Sequence, residues 1–384
     1  LDVAIGEELS PEQQTSMKSL LHQYQDIWTD VPGRTNLAEF EVNLTSNVPI
    51  QCKPYPLPHT KRGVVKQEVA DMLAMGVIEP ARSAYSSPIV LVRKKDQTHR
   101  FCIDYRRLNK ITEFEVEPLP DSEYIYAQVA KAQYFTKIDL SKGYWQVPVK
   151  KEDRHKLAFS TPDASYQWLV MPFGVQNAPS VFSRMMRKLL EPFTDMPIYN
   201  FMDDLLVATE SWQEHMELLG AVMKRLQEAG LTARPSKCQL GFSTMDYLGH
   251  TLKHGNLAPD AAKIEHLRDA PQPTTKTEVR SFLGFAGYYR RHVPGFSTIA
   301  LPLTDLTKKS APNKVEWTDE CEIAFQRLKR ALTAEAILRL PDLEREFVLR
   351  TDASDAGLGA VLLQEHEGVL HPVAYGSRKL NSAE

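Results

Sequence analysis

Cysteine is scarce in this chain. Among 384 residues there are four, Cys52, Cys102, Cys238 and Cys321, and no two form a CxxC pair. That excludes the spacing of a zinc site or a disulfide framework and fits a reduced, intracellular setting. Long apolar runs are missing too. The longest uncharged stretch, residues 164–183, carries Gln167, Pro172, Gln176, Asn177 and Pro179, a poor composition for a bilayer span, so no membrane role is expected. The opening residues lack the basic and apolar regions of a signal peptide. A dominant charge sign is lacking as well: 46 Lys and Arg face 49 Asp and Glu, a net charge of −3. Bulk electrostatics therefore does not announce a polyanionic partner. There is no internal repeat, and 42% apolar with 25% charged residues excludes a disordered or collagen-like chain.

What is present is distributed unevenly. The first 50 residues hold eight acids and two bases, whereas Arg93 to Lys110 holds seven bases (Arg93, Lys94, Lys95, Arg100, Arg106, Arg107, Lys110) against Asp96 and Asp104. At roughly 150 residues per domain the length predicts two or three domains, large enough to need no covalent staple. The chain opens on Leu and stops in polar sequence, so it is expected to be a piece of a longer polyprotein.

Local signals predict an α+β architecture with mostly antiparallel pairing. Ser10, Pro11 and Gln13 spell a capped helix start, followed by Met17, Leu20, Leu21, Tyr24 and Ile27 at helical spacing. Five prolines between Val31 and His59 read as an extended connection. A second helix is predicted over 60–76, with Val65, Val69, Met72 and Leu73 on one face. Residues 89–92 and 101–103 form a hairpin with a basic tip. Strands are expected at 134–140, 146–149 and 198–207, helices at 177–190 and 213–229, and another hairpin near 242–252. From Pro259 to about Leu338 the pattern is helical. Strands return at 347–349 and 359–363, with Asp352 and Asp355 between them.

Four features point to chemistry. Asp203 and Asp204 interrupt the apolar run 198–207. Two like charges in such a run are unfavourable unless a cation or proton intervenes, and carboxylates are hard ligands for Mg²⁺ or Mn²⁺. Against this, Asp-Asp is also an ordinary turn dipeptide. Asp139 ends the aromatic and apolar strand 134–140; alone it reads as a turn cap. Together the two acidic sites meet the requirement of two-metal phosphoryl transfer. Lys94 and Arg100 bracket the basic tip and suit triphosphate oxygens, although a solvated charged loop is the commoner meaning of such a run. Met171-Pro172-Phe173-Gly174 marks a sharp turn into a helix.

Longer phrases then carry a resemblance: RFCIDYRRLNKIT from Arg100, IDLSKGYWQVPV from Ile138, MPFGVQNAPSVF from Met171, FMDD from Phe201, YLGH from Tyr247 and SFLGFAGYYRRHVPGF from Ser281. They resemble successive motifs of reverse transcriptases of Ty3/gypsy-type long-terminal-repeat retrotransposons, in order, over nearly the whole chain. The resemblance implies a right-hand polymerase. Residues 1–50 would be an N-terminal helix and connection, 51–115 and 147–172 fingers, 116–146 and 173–255 palm, 256–340 a thumb or helical linker, and 341–384 the truncated start of an RNase H-like domain. It implies that Asp139, Asp203 and Asp204, with Leu140, hold two Mg²⁺ ions (Mn²⁺ being an alternative). Lys94, Arg100, Leu140, Tyr144, Phe173, Gly174 and Gln176 would meet the deoxynucleoside triphosphate. The Tyr144 ring would exclude a 2′-hydroxyl. Phe201, Met202, Leu248 and Gly249 would meet primer and template. Asp352 would be the first acid of an incomplete RNase H site, so RNase H activity is not expected. The implied partners are an RNA template, a DNA primer or duplex, dNTPs and other segments of the pol polyprotein, with monomer and dimer both open. The implied location is cytoplasmic, within virus-like particles. Phe201 stands where the family more often has Tyr, and Phe173 where retroviral enzymes tend to have Gln. The competing reading is an inactive or host-adopted remnant that keeps the fold as a nucleic-acid-binding scaffold. The presence of all three polymerase acids argues against it.

Overall fold

The computed structural model describes residues 1–334 and 336–381. The fold is α+β, and the chain divides into two compact units, each discontinuous in sequence. The first comprises Leu1–Asp121, Thr136–Ala208 and Trp212–Phe242; the second comprises Ser122–Phe135, Thr209–Ser211 and Ser243–Glu384. No helix among the described residues is long and apolar enough to cross a membrane.

The first unit is built on two five-stranded sheets. One runs in the order Ala4–Ile5, Gln239–Phe242, Tyr134–Asp139, Asp204–Thr209, Ile198–Phe201. The other runs Ile78–Pro80, Ser165–Trp168, Phe159–Ser160, Ser87–Arg93, His99–Ile103. Most registers are antiparallel; Ala4–Ile5 with Gln239–Leu240, and Ser87–Pro88 with Phe159–Ser160, are parallel. The helices Ala178–Leu190 and Trp212–Glu228 bury Phe182, Met185, Met186, Leu219, Val222 and Met223 in one core with Ile138, Leu205, Val207 and Leu240 from the strands. Such burial, at roughly 25 cal/mol per Å² of apolar surface, holds the strand ends where polar side chains can be displayed.

The N-terminal helix forms as its signals predict. Ser10 accepts from the Gln13 N–H at 3.2 Å and Gln13 accepts from the Ser10 N–H at 2.9 Å, closing the capping box over Pro11–Gln23. The expected helix over 60–76 is Arg62–Ala74, with Val65, Val69 and Met72 buried; Leu73 turns outward. The expected strand 146–149 is not one. Lys142, at φ +45°, starts a 3₁₀ turn over Gly143–Gln146, and Val149 and Pro148 make only isolated bridges to Phe40 and Val170. The reason is Gln146, whose buried amide donates to the Ser141 and Thr232 carbonyls at 2.7 and 2.9 Å and so folds the chain back.

In the second unit an antiparallel sheet runs Thr244–Tyr247, His250–Lys253, Asn256–Pro259, Leu338–Arg339. The helices Ala261–Arg268, Lys276–Tyr288 and Asp319–Thr333 share a core of Val279, Phe282, Ala286, Tyr289, Phe325 and Leu328. A three-stranded sheet, Phe347–Ser354, Gly357–His366 and Val369–Lys379, follows. Asp352 lies inside its first strand, opposite Gly359 and exposed, rather than between strands, and the third strand has no counterpart in the sequence reading.

Candidate active site

Strand Ile198–Phe201 turns into Asp204–Thr209 through a two-residue hairpin, Met202-Asp203, with Phe201 opposite Asp204. Met202 sits at φ +54°, a conformation that disfavours a side chain and stores of order 1 kcal/mol. Buried Leu205, Leu206 and Val207 anchor the hairpin, so the two acids project at its tip with Asp203 exposed and Asp204 half-buried. The neighbouring strand Tyr134–Asp139 delivers the third acid. Its end is tied to the hairpin where the Leu140 N–H donates to the Asp203 carbonyl at 3.3 Å. The Arg234 N–H donates to the Asp139 carbonyl at 2.9 Å, fixing the other side.

The three carboxylates thus meet at the ends of adjacent strands. Burial, and then the charge of Asp203, push the Asp139 carboxyl up to about 6, against the pull of Arg234, Lys237 and Lys137. Burial, then Asp203 and Asp139, push Asp204 up to about 6 as well. Like charges gathered in this way call for an outside cation. Sequence reasoning missed Cys238. Its sulfur accepts from the Asp139 N–H at 3.4 Å, and burial pushes the thiol up to about 12. It gives Asp139 a neutral backing that a scattered cysteine did not announce.

An aromatic group flanks the acids. The Tyr144 ring lies 5.3 Å from the rings of both Phe173 and Phe182, and Trp145 lies 5.9 Å from Phe173. Gly143 permits this approach: a Cβ there would come 2.8 Å from Phe182 Cζ and 3.6 Å from the Asp203 Cβ. Arg100, Phe173 and Gly174 line one cavity of about 330 Å³ with Trp145, Trp168 and Met72. Lys94 is exposed at the basic hairpin tip and does not line that cavity; its N–H donates to the Thr98 carbonyl at 2.7 Å. Gln176 does not point freely into space. Its N–H donates to Asn109 Oδ1 at 3.0 Å and its amide reaches the Thr112 carbonyl at 3.4 Å. Asn109 also donates to the Gly174 carbonyl at 2.9 Å, and Asn177 donates to the Glu113 carbonyl at 2.7 Å. These two asparagines hold the Phe173–Gln176 turn against residues 109–115. Both stand inside the quoted phrases, but only the contacts show what they do.

Leu248 and Gly249 form the two-residue turn between Thr244–Tyr247 and His250–Lys253 in the second unit, at φ +50° and +79°. Beneath it runs a buried chain of hydrogen bonds: Tyr126 Oη to His250 Nδ1 at 3.0 Å, His250 Nε2 to His292 Nε2 at 3.0 Å, and His292 Nδ1 to the Ala336 carbonyl at 2.8 Å. A carbonyl only accepts, so His292 carries its proton on Nδ1, His250 donates from Nε2, and Tyr126 donates to His250. Burial lowers His250 to about 4 and His292 to about 3, so both rings are neutral.

Residues 92–252 match the family model described as reverse transcriptase (RNA-dependent DNA polymerase), and residues 317–384 match that of an RNase H-like domain found in reverse transcriptase. The retrovirus-related Pol polyprotein from transposon 297 of Drosophila melanogaster is 36% identical over 98% of this chain. The chain belongs to the reverse transcriptase family. The Transposon Tf2-3 polyprotein of Schizosaccharomyces pombe is 31% identical over 97% of the chain. The chain spans 36% and 28% of the lengths of those two relatives, about a third. Its fold matches a foamy viral protease-reverse transcriptase solved with double-stranded DNA (TM-score 0.90, 26% identity, 98% of this chain and 66% of that one). It also matches a foamy viral protease-reverse transcriptase solved with an RNA/DNA hybrid (TM-score 0.86, 25% identity, 98% and 51%).

The donor set at these strand ends fits a hard divalent cation. Asp139, Asp203 and Asp204 offer only oxygen, and burial followed by like-charge repulsion makes Asp139 and Asp204 hold a proton more tightly than an ordinary carboxyl. Among the described residues no group of three or more His, Cys, Asp or Glu stands ready to hold a metal alone. Mg²⁺ commonly keeps several waters and takes one or two carboxylates plus substrate phosphates.

Proposed function

We propose that this chain is an RNA-directed DNA polymerase that transfers a deoxynucleotidyl group from a dNTP to a primer 3′-hydroxyl on an RNA or DNA template, with pyrophosphate leaving. The observation that carries the reading is the meeting of Asp139 with Asp203 and Asp204, tied by the Leu140–Asp203 hydrogen bond and short of positive charge. These acids, with Leu140 beside them, would hold two Mg²⁺ ions, or Mn²⁺ in their place. Bound there, the metals supply activation of the attacking oxygen and neutralisation of the leaving one.

The chain's own residues supply position. The exposed guanidinium of Arg100 and ammonium of Lys94 offer charge to the triphosphate. Tyr144, braced by Phe173 and Phe182, presents a rigid ring to the sugar, where a 2′-hydroxyl finds no room. The Asn109 and Asn177 clamps keep the Phe173–Gln176 turn from drifting. Orientation of this kind, rather than covalent chemistry, is what phosphoryl transfer asks of a protein. Leu248 and Gly249 would meet the primer. RNA template, DNA primer and dNTPs are then the partners, with other pol segments nearby.

The test is extension of a DNA primer on an RNA template with four dNTPs and Mg²⁺, with Asp203→Asn alongside. Extension by the parent and none by the variant supports the activity and the site together. Retained extension in Asp203→Asn sinks the site assignment. Duplex binding without synthesis by the parent leaves the scaffold reading instead.

A further inference from the structure

The Leu248-Gly249 turn is held by two adjacent side chains from the end of helix Lys276–Tyr288. Tyr288 Oη donates to the Leu248 carbonyl at 2.5 Å, and Tyr289 Oη donates to the Gly249 carbonyl at 2.6 Å. The two rings stand perpendicular at 5.0 Å, so each fixes the other's direction. Tyr289 is fully buried, whereas Tyr288 is 54% exposed. An exposed tyrosine gains little from burial, and its hydroxyl can bond to water equally well. Its short bond to a turn carbonyl therefore acts on the turn more than on the core. The two carbonyls are not equally dependent on the tyrosines. Gly249 also accepts from the Asp260 N–H at 3.1 Å, but among the described residues Leu248 is otherwise approached only by Tyr126 Oη and His250 Nδ1, both at 3.4 Å.

We propose that Tyr288 and Tyr289 are positioning residues that lock the Leu248-Gly249 turn in the conformation that receives the primer strand, Tyr288 carrying the larger share. The proposal rests on the reading of this turn as a primer contact. Each hydroxyl removes one orientation of the turn from the free ensemble, so the strand meets a surface already set.

The experiment uses Tyr288→Phe, Tyr289→Phe and Gly249→Ala in the full chain, binding a DNA primer annealed to an RNA template, followed by fluorescence anisotropy. Tyr288→Phe is expected to raise Kd about fivefold, the equivalent of one neutral hydrogen bond. Tyr289→Phe should raise it by less than about twofold, because the Asp260 N–H remains. The KM for dNTP and the melting temperature of Tyr288→Phe should match the parent's. Gly249→Ala reports on the turn itself, since a Cβ at φ +79° would meet Lys263 Nζ at 3.0 Å. Weakened binding in Gly249→Ala with parental binding in Tyr288→Phe overturns the positioning role and leaves the primer reading standing. Unchanged binding in Gly249→Ala overturns the primer reading and the proposal with it. A Tyr288→Phe loss accompanied by a fall in melting temperature or a rise in dNTP KM assigns Tyr288 a general structural part and also overturns the proposal.

Discussion

Two hairpin turns in this chain use the same backbone device to opposite ends. Met202-Asp203 and Leu248-Gly249 are both two-residue connections, and each places a non-glycine residue at positive φ first, +54° for Met202 and +50° for Leu248. Around the first, burial and then the repulsion among the carboxylates lift Asp139 and Asp204 to about 6. Around the second, tyrosine hydroxyls occupy the carbonyls, and the histidines beneath are neutral. One turn is left electrically incomplete and is finished only by what binds it. The other is complete within the protein and offers shape. A polar group earns its place at a turn either by being satisfied or by waiting for a ligand.

The comparison breaks most visibly at Asp203. Asp203→Asn is expected to reduce synthesis by about a thousandfold or more, since preorganised charge is the main catalytic contribution of such a site. It should also raise the melting temperature by about 2 °C through relief of like-charge repulsion. Calorimetry beside primer extension checks both, and a destabilised Asp203→Asn would contradict the electrostatic account. Gly249→Ala should move stability the other way, by about 1 kcal/mol, because it strains a left-handed position.

Acid should act next. Synthesis should fall as pH drops through about 6, where Asp139 and Asp204 take up protons. Stability runs in the opposite direction. Both acids bind protons more tightly folded than unfolded, so their contribution is fully present below the ordinary value of 3.8 and is lost as pH rises through about 6. Asp203→Asn should flatten that slope. A parent whose stability climbs between pH 4 and 6 while Asp203→Asn stays level would reverse the assignment.

Much of this is legible in the sequence, because it rests on local chemistry. The Ser10 helix start, the basic hairpin and the Asp203-Asp204 turn are written in consecutive residues, and that predicted helix start closes its capping box. Long-range pairing was not legible. Ala4–Ile5 is too short to show alternation and becomes a strand only by lying parallel to Gln239–Leu240. Residues 146–149 have strand-forming composition, but a buried glutamine overrides it with tertiary hydrogen bonds. In the site, the acids announced themselves by standing in an apolar run. Cys238, Asn109 and Asn177 did not, because their contribution is a contact with a residue far along the chain. The tyrosine clamp on Leu248-Gly249 has the same character: Tyr288 and Tyr289 stand in a segment whose pattern reads only as helical, and the turn 40 positions away that accepts their hydroxyls is not visible in it.

A smaller perturbation of the first turn is Gly143→Ala. The new Cβ would come 2.8 Å from a ring carbon of Phe182, which is packed in the core and cannot swing aside as a flexible tip would. The variant should lose about 1–3 kcal/mol of stability and raise the KM for dNTP, as Tyr144 is pushed from its place between Phe173 and Phe182. Denaturant titration with dNTP kinetics checks it. Parental values in both would mean that the aromatic group is looser than its spacing suggests.

The mildest test falls on the second turn's foundation. Tyr126→Phe removes the donor to His250 Nδ1, and the nearest remaining partner there, the Leu248 carbonyl at 3.4 Å, is itself an acceptor. His250 must then leave Nδ1 bare or move its proton there and give up the donation to His292. Either choice costs about 1 kcal/mol, the price of one unmade buried hydrogen bond. Synthesis at saturating primer should stay within about twofold, because no reacting charge is touched. Nitrogen-15 spectra of the imidazoles show which choice is made. In the parent, the proton is expected on Nε2 of His250 and Nδ1 of His292. A parent with the reverse tautomers would undo the direction of the chain and, with it, the contrast between a turn that is internally complete and one that waits for its ligand.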